Sequence, residues 1–500
     1  MENLYINMDH LKHIFIISLV LLFSKLNAQT KNDEKYRPQI HFSPKDKWMN
    51  DPNGMVYHNG IYHLFYQYYP DSNVWGPMHW GHATSEDMIH WKHQSIALYP
   101  DSLGYIFSGS AVVDVNNTSG FAVNGKAPLV AIFTHHDPNG EASGKNDYQY
   151  QSIAYSIDDG KSWIKYKNNP VVRNPGIKDF RDPKVMWFAK EKKWIMTLAT
   201  LDRITFYSSN DLKNWTKESE FGENAGAHGG VWECPDLFPL DYNGKKVWVL
   251  IVSINPGGPN GGSATQYFLG DFDGKNFLPF STETKWLDYG PDDYAGVTWS
   301  NTGNRRIFLG WMSNWSYATV VPTETWRSAM TIPRELKIMK VNKELFVAST
   351  PVKEMAAISS KPIDISKKIP ELNFPGMIEL EMKKPEDFSI VISNDQREEL
   401  LIGYDKATNR YFIDRTKSGI INFHEEFPAQ HFAPRLSNKS KIKISLVIDV
   451  SSVELFADDG LTVMTGVFFP DKSYDQLRIQ STNHIPLKSL RYVKLNNIWK

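Results

Sequence analysis

Along most of the chain the apolar positions come in short runs rather than at helical spacing. Gly60 to Tyr69, Leu129 to Thr134, Lys193 to Ala199, Val247 to Ser253 and Arg306 to Met312 are rich in β-branched and aromatic residues, and Gly, Asn, Asp or Pro separates such runs. This punctuation predicts strands joined by tight turns. Beyond the N-terminus no long segment carries the period of an amphipathic helix. A weak repeat overlies the strands. Ser85-Glu86-Asp87 leads to Trp91, Ser156 to Gly160 leads to Trp163, Ser209-Asn210-Asp211 leads to Trp215, and Asp271 to Gly274 leads to Phe277. Each predicts a hairpin whose Asp folds back on the backbone while an aromatic packs behind it. Recurrent hairpins of this kind predict the blades of a β-propeller, over residues 36–340.

The pattern changes after Thr331-Ile332-Pro333-Arg334-Glu335-Leu336. Tryptophan becomes rare, lysine rises, and strands alternate cleanly, as where Ile442, Ile444 and Leu446 share one face. Met377 to Met382, Phe388 to Ser393, Val453 to Ala457 and Leu477 to Ser481 read likewise. One buried and one wet face predicts a β-sandwich, over residues 362–500, after a loop between about Leu336 and Ile363. The expected fold is all-β.

The N-terminus is of another kind. Lys12 and His13 precede the apolar run Ile14 to Phe23 and then Leu26-Asn27-Ala28. This predicts a signal peptide over residues 1–28, cleaved near Ala28, and export to the periplasm or the exterior. The run is too short to span a bilayer, so no membrane insertion of the mature chain is expected. The formal net charge of -1 gives no reason to expect a nucleic-acid partner. With Cys234 the only cysteine, an intramolecular disulfide is impossible. Aromatics reach 13% of the 500 residues, which suits strand packing and also the flat walls of a sugar site.

Three acids stand in unusual settings. Asp51 lies in Trp48-Met49-Asn50-Asp51-Pro52-Asn53-Gly54; the proline favours extended backbone, and Pro-Asn-Gly reads as a tight turn, which predicts a carboxylate on a rigid strand end. Taken alone, such an Asp-Pro reads better as an Asx turn that starts a loop. Asp182 in Arg181-Asp182-Pro183 again precedes a proline, beside an arginine able to fork hydrogen bonds. Glu233 lies between Trp232 and Cys234, an apolar setting that would suit a general acid; Asp236 could hold its side chain or cap a turn. On the first strands of separate blades, three such acids would meet in one central pocket. No His, Asp or Glu cluster has metal-ligand spacing, His135-His136-Asp137 reads as a loop, and no cofactor is expected.

Those three motifs resemble, in order, the signature segments of glycoside hydrolase family 32, the family of invertases, inulinases, levanases and fructan exohydrolases. Phe65 to Tyr68, Trp75 to His82, Phe107 to Ser110, Gly310 to Met312 and Trp326 to Ser328 look similar too. The resemblance implies a five-bladed propeller followed by a sandwich. It implies Asp51 as nucleophile, Glu233 as acid/base and Asp182 as a stabiliser of the transition state. It also implies a terminal fructose held by Asn50, Gln67, Trp75, Ser108 and Arg181, with Phe107 and Cys234 in the same site. Trp311 or Trp315 would be either a flat wall or core. The implied activity is retaining exo-cleavage of a fructan or fructo-oligosaccharide, levan or inulin, with sucrose as a further candidate. Val321 to Arg327 looks more like the exo-fructanases than the invertases. Ser156 to Trp163 also fits the Asp-box of sialidases, a turn motif and not a catalytic one. An inverting arabinan- or xylan-cleaving propeller and a non-catalytic sugar-binding protein are the other readings.

Overall fold

The computed structural model describes residues 34–481 and 485–499; the expected signal peptide, 1–28, lies outside them. Among the described residues helix is confined to one α-helical turn, Pro138–Ala142, and one 3₁₀ turn, Lys353–Ala357. No helix there is long and apolar enough to cross a membrane.

Five sheets come first, in chain order. Their opening strands are β1 (Lys47–His58), β2 (Tyr105–Val113), β3 (Phe180–Phe188), β4 (Val231–Tyr242) and β5 (Tyr294–Thr298). Each of these strands touches the next, and β5 returns to β1, so the sheets close into a propeller ring around their opening strands. A short parallel strand, Trp326–Arg327, pairs with Lys47 and Trp48 and ties the end of the ring to its beginning. The Asp-bearing turns lie where expected. Asp87 accepts from the N–H groups of Ile89 and His90, Asp211 from those of Lys213 and Asn214, and Asp273 from those of Lys275 and Asn276. The fifth sheet runs on through Arg334–Val341 to Glu344–Pro351, past the expected edge at 340.

Every opening strand is bulged near its start. The pairing slips between Met49 and Pro52 on β1, between Ile106 and Gly109 on β2, and between Glu233 and Asp236 on β4. It slips again around Asp182 and Pro183 on β3 and between Tyr294 and Val297 on β5. Pro183 and Pro235 have no N–H to give the ladder, so pairing breaks there. A bulge turns the local side chains out of the regular alternation.

Two further sheets form the sandwich. One holds Gly376–Met382, Ile442–Ile448, Ser452–Ala457, Thr462–Val467 and Leu487–Lys494; the other holds Phe388–Ser393, Glu399–Asp405, Arg410–Lys417, Gln430–Pro434 and Gln476–Gln480. The expected alternation holds: Ile442, Ile444 and Leu446 are buried and Lys441 and Lys443 exposed. Sandwich and propeller meet through buried charge. Arg334 is paired with Asp288, Asp293 and the sandwich residue Glu454, while Arg415 of the sandwich is paired with Asp292.

Candidate active site

Asp51 does not sit at a strand end. β1 runs straight through Asp51-Pro52-Asn53-Gly54, and the residues expected to turn form two bulges instead. The first bulge sets the Asp51 carboxyl among donors: Asn50 Nδ2 at 2.9 Å and Ser108 Oγ, from β2, at 2.8 Å. Asn50 is itself oriented by the indole N–H of Trp48, 2.7 Å from its Oδ1. Asp182 comes from β3 with φ +64°, a conformation non-glycine residues rarely adopt. Its Oδ2 accepts the backbone N–H of Cys234 at 3.0 Å. The Cys234 thiol stands 3.6 Å from both Asp51 Oδ2 and Asp182 Oδ2 and so bridges the two acids.

Glu233 departs from its expected setting. Its neighbours in sequence, Trp232 and Cys234, are buried, but the carboxyl itself meets polar groups from two other sheets. Arg181 Nε donates to Oε1 at 3.0 Å, and the Tyr294 hydroxyl donates to Oε2. Asp236 does not hold it; that carboxylate accepts from Thr298 N and Oγ1, each at 2.7 Å, and pairs with Lys184.

All three acids line one cavity of about 300 Å³, together with Asn50, Gln67, Trp75, Phe107, Ser108, Arg181 and Trp315. Gln67 is buried, and its amide nitrogen has no partner among the described residues, leaving a donor for a ligand oxygen. Trp75 is the exposed aromatic of the rim, edge-on to Phe107. Of the two candidate walls, Trp315 lines the cavity; Trp311 is wholly buried behind it, 4.9 Å between ring centres, and belongs to the core. Cys234 is buried beneath the acids and is absent from the lining.

Five lining residues were not anticipated: His136, Glu141, Tyr148, Gln149 and Asp179. His135 and His136 are not in a loop; they end the buried strand Leu129–His136, and the single helical turn follows them. Tyr294 was missed because its strand carries no motif. The signal available was structural logic: a fifth opening strand should supply a fifth side chain.

Crowding sets the electrostatics. Burial and then the nearby Glu233 push the Asp51 carboxyl above its ordinary range. Burial raises Asp182 most; Arg181 opposes, Glu233 and Asp51 add, and it is pushed up to about 7. Burial followed by the carboxylates Asp182, Asp51 and Glu233 drives the Cys234 thiol well up, so it stays protonated. Among the described residues no group of three or more His, Cys, Asp or Glu side chains is placed to hold a metal ion.

Residues 41–349 match the glycosyl hydrolases family 32 N-terminal domain, and residues 353–495 match the family 32 C-terminal domain. The chain belongs to glycosyl hydrolase family 32. Similar family members include a levanase of Bacillus subtilis, 46% identical over 97% of this chain and 74% of its own length. An extracellular exo-inulinase of Aspergillus niger is 41% identical over 90% of this chain and 92% of its own. The crystal structure of an exo-inulinase from Aspergillus awamori superposes with TM-score 0.85 at 37% identity, covering 94% of this chain and 100% of that one. A fructofuranosidase of Schwanniomyces occidentalis, complexed with fructose, gives 0.83 at 33%, covering 94% and 100%. Retention of anomeric configuration is a general property of family 32.

Proposed function

We propose that this protein is an exported exo-β-fructosidase that releases terminal β-D-fructofuranosyl units from fructans, with levan and inulin as substrates and sucrose as a further one. One observation carries the reading: Asp51, Asp182 and Glu233 line a single cavity in a family 32 chain. The same reading takes each of the five sheets as one blade of the catalytic propeller.

Glu233 gives its proton to the glycosidic oxygen as the bond to the anomeric carbon breaks. Asp51 attacks that carbon from the opposite face, forming a fructosyl ester. Water then enters where the leaving group stood, Glu233 takes its proton, and the ester opens to free fructose and the Asp51 carboxylate. The donors around Asp51, Asn50 and Ser108, hold its lone pairs in line for attack. Asp182 accepts hydrogen bonds from fructose hydroxyls that shorten as the ring flattens. Gln67, with its free amide nitrogen, and Trp75 and Trp315 fix the terminal sugar.

The test is a product time course on levan, inulin and sucrose. Free fructose from the first minutes, without intermediate oligosaccharides, is expected; a ladder of oligosaccharides overturns exo action. Asp51→Ala and Glu233→Ala should each lower turnover on the order of 10²–10⁴-fold or more with the melting temperature preserved. Near-normal turnover in Asp51→Ala removes the nucleophile assignment.

A further inference from the structure

A hydrogen-bond chain runs from the mouth of the cavity to Glu233 through residues the mechanism above does not use. Glu141, half exposed on the helical turn, stands 3.1 Å from His136 Nε2. His136 Nδ1 faces Gln149 Nε2 at 3.3 Å. Gln149 Oε1 accepts the Phe180 N–H at 2.9 Å and a longer bond from Arg181 Nη1 at 3.4 Å. Arg181 Nη1 also donates to Asp179 at 2.6 Å, while Nε reaches Glu233.

The donors fix every orientation in this chain. Two N–H groups point at Gln149 Oε1, so its amide nitrogen faces His136. Nδ1 must then accept, which puts the ring proton on Nε2, toward Glu141. A second proton on Nδ1 would set donor against donor. Burial lowers His136 first of all; Arg181 also lowers it, while Glu141 and Asp137 act the other way. The ring is clamped flat, stacked on Phe107 at 4.3 Å and near Tyr105 at 5.9 Å, with Tyr148 edge-on at 5.3 Å. Neutral, oriented and packed among three rings, His136 can anchor Gln149, and Gln149 can anchor the guanidinium.

We propose that His136 and Gln149 are positioning residues that lock Arg181, and through it hold Glu233 aligned on the leaving-group oxygen. The proposal rests on the assignment of Glu233 as the acid. Its readout is therefore dependence on the leaving group. An unactivated oligofructoside needs its departing oxygen protonated; a nitrophenyl β-fructofuranoside departs without that help.

The experiment compares kcat/KM for both substrates in wild type, Gln149→Leu, His136→Phe and Gln149→Glu. On the oligofructoside, Gln149→Leu and His136→Phe should each lose about 10-fold, since small displacements of a catalytic group cost at least that. On the nitrophenyl substrate both should lose several-fold less, only what a looser Arg181 costs the hold on the fructosyl unit. Gln149→Glu keeps an acceptor oxygen for Phe180 and Arg181, and His136, doubly protonated between two carboxylates, can donate to its other oxygen, so this variant should recover most of the loss. Equal losses on both substrates, or no loss on either, overturn the proposal. The ratio of the two constants decides even for a partly unfolded variant, because unfolding lowers both alike. Failure of the underlying assignment shows separately: if Glu233 is not the acid, Glu233→Ala loses as much on the nitrophenyl substrate as on the oligofructoside, or loses on neither.

Discussion

Asp182 combines a left-handed backbone with a buried carboxyl pushed up to about 7. Strain and burial both cost stability, and the site retains them. The folded chain keeps this proton up to about pH 7, while the unfolded chain releases it near pH 4. Stability therefore falls as the pH rises through that window, and the cost is complete above it. Asn carries no charge and can still accept the Cys234 N–H. Asp182→Asn should thus raise the melting temperature by several degrees at pH 8 and by much less at pH 4, while fructose release drops by about 10² or more. A thermal scan at the two pH values checks it. The three acids were legible from their motifs because each sits in a compact run of polar, proline and aromatic residues. Their surroundings were less so. Alternation along a strand sends Trp232 and Cys234 away from Glu233, and its true partners, Arg181 and Tyr294, arrive from β3 and β5. His136 is not legible in the sequence, because a histidine pair shows nothing locally that separates a loop from a buried strand end.

On three of the five opening strands a bulge lies at a proline, Pro52, Pro183 and Pro235, and of these only the run at Pro52 reads as a turn in the sequence. Pro52-Asn53-Gly54 has turn chemistry, and the same φ preferences serve a bulge, so only the pairing partner tells the two apart. Gly54 shows what the element requires. It adopts φ +57°, and a Cβ there would fall 2.6 Å from the Trp80 ring and 2.7 Å from Phe65. Both rings are wholly buried and have no room to yield. Gly54→Ala should cost about 2–4 kcal/mol from overpacking and backbone strain together. Because β1 carries Asp51, kcat should fall along with the urea midpoint; a variant with the midpoint lowered and kcat unchanged would separate the bulge from the placement of the carboxyl. Strand existence and the hairpin turns followed from local runs of apolar and turn residues. Which strand opens each sheet did not, since nothing in a strand's own composition says that it faces the axis.

The order of propeller and sandwich was visible in the change of composition after Leu336. The seam between them was not, because its partners lie more than a hundred residues apart and share no local pattern. His41, just before β1, is wholly buried between the sandwich carboxylates Asp449 and Glu454, at 2.8 and 2.9 Å. Burial alone would lower it, but hydrogen bonds and charge from the two carboxylates raise it to about 9. The folded state thus holds a proton that the unfolded state releases near pH 6.5. That stabilisation is full below about pH 6.5 and is lost as the pH climbs through about 9. The urea midpoint should fall between about pH 6 and 9.5, and His41→Asn should flatten that slope while lowering the midpoint at pH 6. Cys234 offers a way to watch the whole fold open. The chain has a single sulfhydryl, sealed from solvent and kept in its unreactive protonated form by the acids above it. A maleimide or aromatic disulfide reagent should therefore leave the native enzyme unmodified and take up one equivalent as the chain unfolds. Labelling kinetics then read out, with no engineered probe, how often the acid-lined cavity comes apart.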